Sequence, residues 1–77
     1  MNNSQSPKIG QTIYWKCEPY KRPSFIASGV IRNIIYPNDL SLVKKLTLVM
    51  IEVTSEQYKD VYPGRKRTTI ALCNVLK

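Results

Sequence analysis

Apolar and polar residues exchange places along this chain with a period of two. Over residues 11–17, Ile13, Trp15 and Cys17 alternate with Thr12, Tyr14 and Lys16. Side chains of a strand point to opposite faces in turn, so this stretch predicts a first strand with Ile13, Trp15 and Cys17 buried. Residues 18–24 carry Pro19 and Pro23 around Tyr20, Lys21 and Arg22. Proline removes ladder donors, and a loop is expected there. A long second strand follows over 25–36. Both of its alternating sets are apolar, Phe25, Ala27, Ile31 and Ile35 on one and Ile26, Val30 and Ile34 on the other. A bent strand serving two sheets would have this pattern, with Gly29 as the natural place for a bend or bulge.

Pro37, Asn38 and Asp39 end that strand. Residues 40–45 then suit either one helical turn capped by Asn38 or Asp39, or an extended loop. The strongest strand signal covers 46–54, where Leu46, Leu48 and Met50 alternate against Thr47, Val49, Ile51 and Val53. Residues 55–64 read as a polar excursion closed by Pro63-Gly64, a pair that fits a type II turn. A last strand is expected over 67–73, with Ile70 and Leu72 facing away from Ala71 and Cys73. Asn74, Val75 and Leu76 form a terminal turn or strand end. The first residues, 1–7, have no apolar side chain after Met1 and predict a disordered N-terminal tail before a single domain over 8–77.

Composition narrows the class. With 77 residues and 43% hydrophobic content the chain fits one small folded domain. The most apolar stretch, 46–53, includes Thr47 and Glu52 and falls short of the roughly 18 apolar residues that span a bilayer. No basic-then-apolar leader opens the sequence, so a soluble, cytoplasmic protein is expected, with no membrane partner. In that compartment Cys17 and Cys73 are read as reduced thiols in preference to a bridge.

Four to five antiparallel strands with little helix predict an all-β fold, a small closed or half-closed barrel. The series Gly10, Ile13, Trp15, a loop, then Gly29, Ile31, Ile34, two further strands and Asn74-Val75-Leu76 resembles the SH3-like barrels, especially the KOW and Tudor types. The resemblance covers most of residues 8–76. It implies that the first and last strands pair, which would make Cys17 and Cys73 neighbours. It also implies a groove between loops where proteins or peptides dock, which Tyr14, Tyr20 and Tyr62 could line.

The chemical inventory argues against catalysis. There is no His in the chain, and the five carboxylates are scattered, so a general base near neutral pH and a partner for a Ser or Cys nucleophile are both wanting. The chain is read as no enzyme. Two cysteines more than fifty residues apart, with no His, cannot complete a zinc site, and three isolated glycines make no phosphate loop. No cofactor is expected.

Charge is what remains. Twelve Lys and Arg against five Asp and Glu give a net charge of +7, and the excess is gathered in Lys21-Arg22, Lys44-Lys45 and Arg65-Lys66-Arg67. Any one such run is also what a solvated loop or a guarded strand edge looks like. Three in one small domain create a positive field that favours a polyanion. Tyr20 beside the first cluster, and Tyr58 and Tyr62 ahead of the third, add aromatic faces on which bases could stack. The expected partner is therefore nucleic acid, DNA or RNA. Lys21, Arg22, Arg65, Lys66 and Arg67 would contact phosphates, and Tyr20 and Tyr62 would serve as stacking residues. An acidic protein surface is the alternative partner. Trp15 is read as core, and Tyr14, on the opposite phase, as a surface aromatic.

Overall fold

The alternation of the first strand is reproduced residue by residue in the computed structural model, which describes residues 7–76. β1 (Thr12–Cys17) buries Ile13, Trp15 and Cys17 and exposes the residues between them. β2 (Phe25–Ile35), β3 (Leu48–Val53) and β4 (Arg67–Ala71) follow, and the four strands form one antiparallel sheet in the order β1-β2-β3-β4. All but Pro7 of the expected N-terminal tail lies outside the described residues.

β2 is shared between two partners. Its first half pairs with β1, from Cys17 opposite Phe25 to Thr12 opposite Val30, and its second half pairs with β3, from Gly29 opposite Val53 to Ile35 opposite Leu48. The register shifts between Ile31 and Asn33. This bulge, and not Gly29, exchanges the phases of Ile34 and Ile35: the inward phase runs through Ala27, Gly29 and Ile31, skips a position, and resumes at Ile34, while Ile26 and Val30 are apolar residues of the outer phase. An extra residue leaves two side chains opposite one on the partner strand, so Arg32 and Asn33 share the outer face. Gly29 has a different task. A Cβ there would overlap the Ile51 side chain and lie 2.8 Å from the Glu52 carbonyl oxygen. Only a residue without one lets β2 and β3 approach this closely.

Between β2 and β3 the helical alternative is the one realised, and after β3 an expectation changes. Residues 40–46 are helical: a 3-10 turn, Leu40–Leu42, leads into α1 (Val43–Leu46). Asp39 and not Asn38 is the cap, its carboxylate accepting from the Ser41 N–H at 3.0 Å and the Ser41 hydroxyl at 2.7 Å. These two bonds hold the Asp39 carboxyl below its ordinary pKa. β3 accordingly begins at Leu48, two residues later than predicted, and Thr47, fully buried, satisfies its hydroxyl by donating to the Val43 carbonyl. The polar excursion after β3 is a helix, α2 (Glu56–Val61). Ser55 caps it by accepting from the Tyr58 N–H at 3.3 Å, an N-cap bond that satisfies one of the helix's unpaired donors. The turn after it is as predicted: Arg65 N–H donates to the Tyr62 carbonyl at 3.0 Å, with Gly64 at φ +83°.

α2 and the C-terminal segment cover one face of the sheet. The core is Ile13, Trp15, Cys17, Ala27, Ile31, Val49, Ile51, Val53 and Tyr58, with Phe25, Ile34, Tyr62, Ile70, Leu72 and Val75 packed at its margin. β4 ends at Ala71. Leu72–Asn74 turn as a 3-10 helix, after which Val75 forms an isolated antiparallel bridge with Trp15 and Leu76 N–H donates to the Tyr14 carbonyl at 2.8 Å. Cys17 is buried, whereas Cys73 is exposed in that 3-10 turn, and both are free thiols.

Replacing Gly29 by Ala forces an added methyl into the β2–β3 contact. Overpacking of this kind costs about 1–3 kcal/mol, so Gly29→Ala should lower the midpoint of urea unfolding at an unchanged m-value. A midpoint equal to that of the parent would show that the two strands can part without penalty.

Candidate functional site

The connection from β1 to β2 is a tight turn with a cation at its tip. Pro19 is buried and anchors it, and the Arg22 N–H reaches back to the Pro19 carbonyl at 3.4 Å. Lys21 adopts φ +59°, the sole non-glycine residue with positive φ among those described. L-residues other than Gly, Asn and Asp avoid this region because Cβ crowds the following carbonyl, at about 1–2 kcal/mol per residue. The turn thereby lays the Lys21 ammonium over the Tyr20 ring, 5.3 Å from its centroid. Tyr20 is 86% exposed, so its other face is open to solvent.

The second cluster is built by α2. Tyr58, Val61 and Tyr62 fall at helical spacing on one side of it. Tyr58 is buried edge-on to Trp15, with centroids 6.0 Å apart and planes at 66°, and Tyr62 lies against Tyr58 at 4.8 Å. Edge and offset arrangements of this kind add about 0.5–1.5 kcal/mol per pair beyond the area they bury. The Pro63-Gly64 turn then folds Arg65 back over the Tyr62 ring, 5.4 Å from its centroid. Trp15, Tyr58, Tyr62 and Arg65 thus form a continuous stack from the core to the surface. Tyr62 is half-buried within it, so the outermost planar group of the stack is the Arg65 guanidinium.

These two clusters meet at one end of the sheet. In the antiparallel order, the β1–β2 turn and the β3–β4 connection leave from the same side, and the Cys17 side chain at the end of β1 lies beside the Tyr62 hydroxyl. That hydroxyl is held above the ordinary tyrosine pKa, chiefly by desolvation and then by Cys17. Lys21, Arg22, Arg65, Lys66 and Arg67 are all exposed there. Lys44 and Lys45 are not part of this grouping, because α1 carries them to the other end of β3. Tyr14 stands on the outer face of β1, opposite to Trp15, and so does not share a face with Tyr62.

The outer face of the sheet adds a residue that the sequence reading did not single out. Arg32, one residue past inward Ile31, faces outward, where its Nε donates to Glu52 Oε1 at 3.0 Å, and the bulge sets Asn33 beside it. Arg67 is the cross-strand neighbour of Glu52 on β4. Arg32, Asn33, Met50, Glu52, Arg67 and Thr69 line a shallow, open concavity of about 460 Å³. A lone arginine in a β-strand pattern is no signal by itself. What could have found it is its phase, one residue past Ile31 and so on the outward side of the strand. Among the described residues, no three Cys, Asp or Glu side chains gather as a metal site, and no helix is long and apolar enough to cross a membrane.

No protein-family model, curated protein or solved structure matches this chain.

Lys21→Gly relieves the left-handed strain and should leave thermal stability unchanged or raise it by up to about 1 kcal/mol; a clear fall in melting temperature would contradict the strained turn. Tyr62 gives a second check. A raised folded-state pKa favours the neutral phenol, so its contribution to stability is complete below about pH 10 and is lost as pH rises through the raised value. An NMR titration of the ring carbons should show Tyr62 ionising above the ordinary tyrosine range, and unfolding of Tyr62→Phe should be less sensitive to alkali.

Proposed function

We propose that this chain is a small basic domain that binds nucleic acid mainly through non-specific contacts to the phosphate backbone. The observation that carries the reading is the convergence at one end of the sheet of Lys21-Arg22 and Arg65-Lys66-Arg67, each with a cation held on a tyrosine ring. Four exposed cations in one pair of loops, with Arg67 at the start of β4, suit a phosphate chain. The open face of Tyr20 and the guanidinium plane of Arg65 are surfaces on which unstacked bases can lie. Tyr62 supports Arg65 in this arrangement. Binding, and not catalysis, is the activity proposed.

The same reading takes the fold as a closed SH3-like barrel of the KOW or Tudor type. Its support is the 3-10 turn after β4, followed by the Trp15–Val75 bridge and the Leu76–Tyr14 hydrogen bond, by which the end of the chain meets β1. Val75 and Leu76 take the part of a short fifth strand.

A second reading, a protein-interaction module or small subunit of a larger complex, draws on a different surface. Ile35 and Leu48 are cross-strand neighbours on the outer face, both exposed, and Tyr36, Leu40 and Leu46 are exposed in the connection between them. Contiguous apolar surface of this kind commonly marks a protein contact.

Fluorescence anisotropy with labelled single- and double-stranded DNA and RNA, at low and at physiological salt, tests the first reading. Affinity should fall steeply with salt, and the triple replacement Arg65→Ala, Lys66→Ala, Arg67→Ala should weaken binding and flatten the log–log salt slope by about 2–3. Absence of binding at low salt, or binding indifferent to the triple replacement, would sink it. In a nuclease-treated pull-down, a stoichiometric companion lost on Leu48→Glu would support the second.

A further inference from the structure

We infer that the outer face of β2, β3 and β4 holds a second phosphate position, formed by Arg32 and Arg67, in which the Glu52 carboxylate stands in for the phosphate when no nucleic acid is bound. The inference rests on the nucleic-acid reading above and extends it from the loops onto the sheet.

The geometry comes from three neighbouring strands. Glu52 on β3 has Arg32 of β2 on one side, at 3.0 Å, and Arg67 of β4 directly across from it on the other. Across from Glu52 on β2 is Val30, so Arg32 and Arg67 are two strand spacings apart, about 10 Å, with a further offset of about 6 Å along the strands. One carboxylate between two guanidinium groups leaves a positive charge in excess. Among the described residues Arg67 is in no ion pair. The concavity between the strands also offers the Asn33 amide and Thr69, groups able to donate to phosphate oxygens.

The Arg32–Glu52 pair is easily exchanged. Its side chains are 55% and 47% exposed, and ion pairs in such settings are screened and contribute little. A phosphodiester entering the concavity meets two arginines, each able to pair with it through two N–H donors. Glu52 then becomes a competitor, and its charge opposes binding. The position is continuous with the loop cluster, since Arg67 both ends the Arg65-Lys66-Arg67 run and begins β4. A strand held by Arg65 and Lys66 at the sheet end can therefore pass directly onto this face.

The test measures binding of labelled oligo-uridine, oligo-thymidine and a mixed-sequence duplex to the parent and five variants at several salt concentrations. Glu52→Gln should tighten binding by about fivefold at 0.15 M salt, the effect of one added phosphate contact, and steepen the salt slope by about one. Arg32→Ala should weaken binding by a similar factor and flatten the slope by about one, while Arg32→Lys keeps most of the slope. Asp39→Asn makes the same change in net charge beyond the other end of β3 and should have a clearly smaller effect. Circular dichroism melts of each variant check that the fold is retained, and Glu52→Gln, compared with the parent, still tests the position if Arg32→Ala unfolds.

Equal effects of Glu52→Gln and Asp39→Asn would overturn the inference, as would weaker binding by Glu52→Gln. Indifference to Arg32→Ala with loss of binding on Arg65→Ala, Lys66→Ala would overturn it while leaving the loop reading intact. No binding of any probe by the parent would overturn both.

Discussion

Everything in this small protein is arranged around the close approach of β2 to β3 at Gly29. That residue faces Ile13 of β1 on one side and Val53 of β3 on the other, so three strands are registered at one point. To one side of it β2 belongs to β1, and to the other it belongs to β3. Because there is no Cβ at the crossing, the Ile51 side chain can fill the space against β2. The inward residues of all three strands then close over one another, and the core forms without a large helix to cover it.

The second constraint is the bulge beyond Gly29. It reverses the phase of β2, so that Ile34 continues the core and Ile35 is delivered to the outer face. The same reversal sets Asn33 on the outer face beside Arg32, which pairs with Glu52. One inserted residue therefore serves packing and the outer surface at once. At the far end of β3, the stack of Trp15, Tyr58, Tyr62 and Arg65 performs a comparable coupling, since the position of a surface guanidinium is set through two tyrosines by a buried indole.

Much of this was legible in the residues. The period-two alternation located all four strands to within two residues at either end and assigned Ile13, Trp15 and Cys17 inward, because a half-buried strand imprints its geometry directly on the polarity pattern. The Pro63-Gly64 turn was equally explicit. α2 was not, since six residues are less than two turns and its polar residues outweigh Tyr58 and Val61 in any window. The Ser55 cap and the i, i+3, i+4 spacing of Tyr58, Val61 and Tyr62 were the available signals. The bulge was misplaced to Gly29, since glycine is the usual mark of one, whereas this bulge uses Arg32. Of the site, the clusters could be read but not their grouping: that Lys21-Arg22 joins Arg65-Lys66-Arg67 while Lys44-Lys45 stands apart depends on strand order, which alternation leaves open.

The bridge from Trp15 to Val75 has a kinetic side. It joins positions separated by nearly the whole described chain, whereas each of β1 to β4 pairs with the next strand in the sequence. The entropy of closing a loop grows with its length and has to be met before the contact yields anything in return. The four strands pair in sequence order, so joining the chain's end to β1 closes the longest loop and is expected to come late. The backbone groups of Tyr14 and Trp15 on the β1 edge wait until then for a partner.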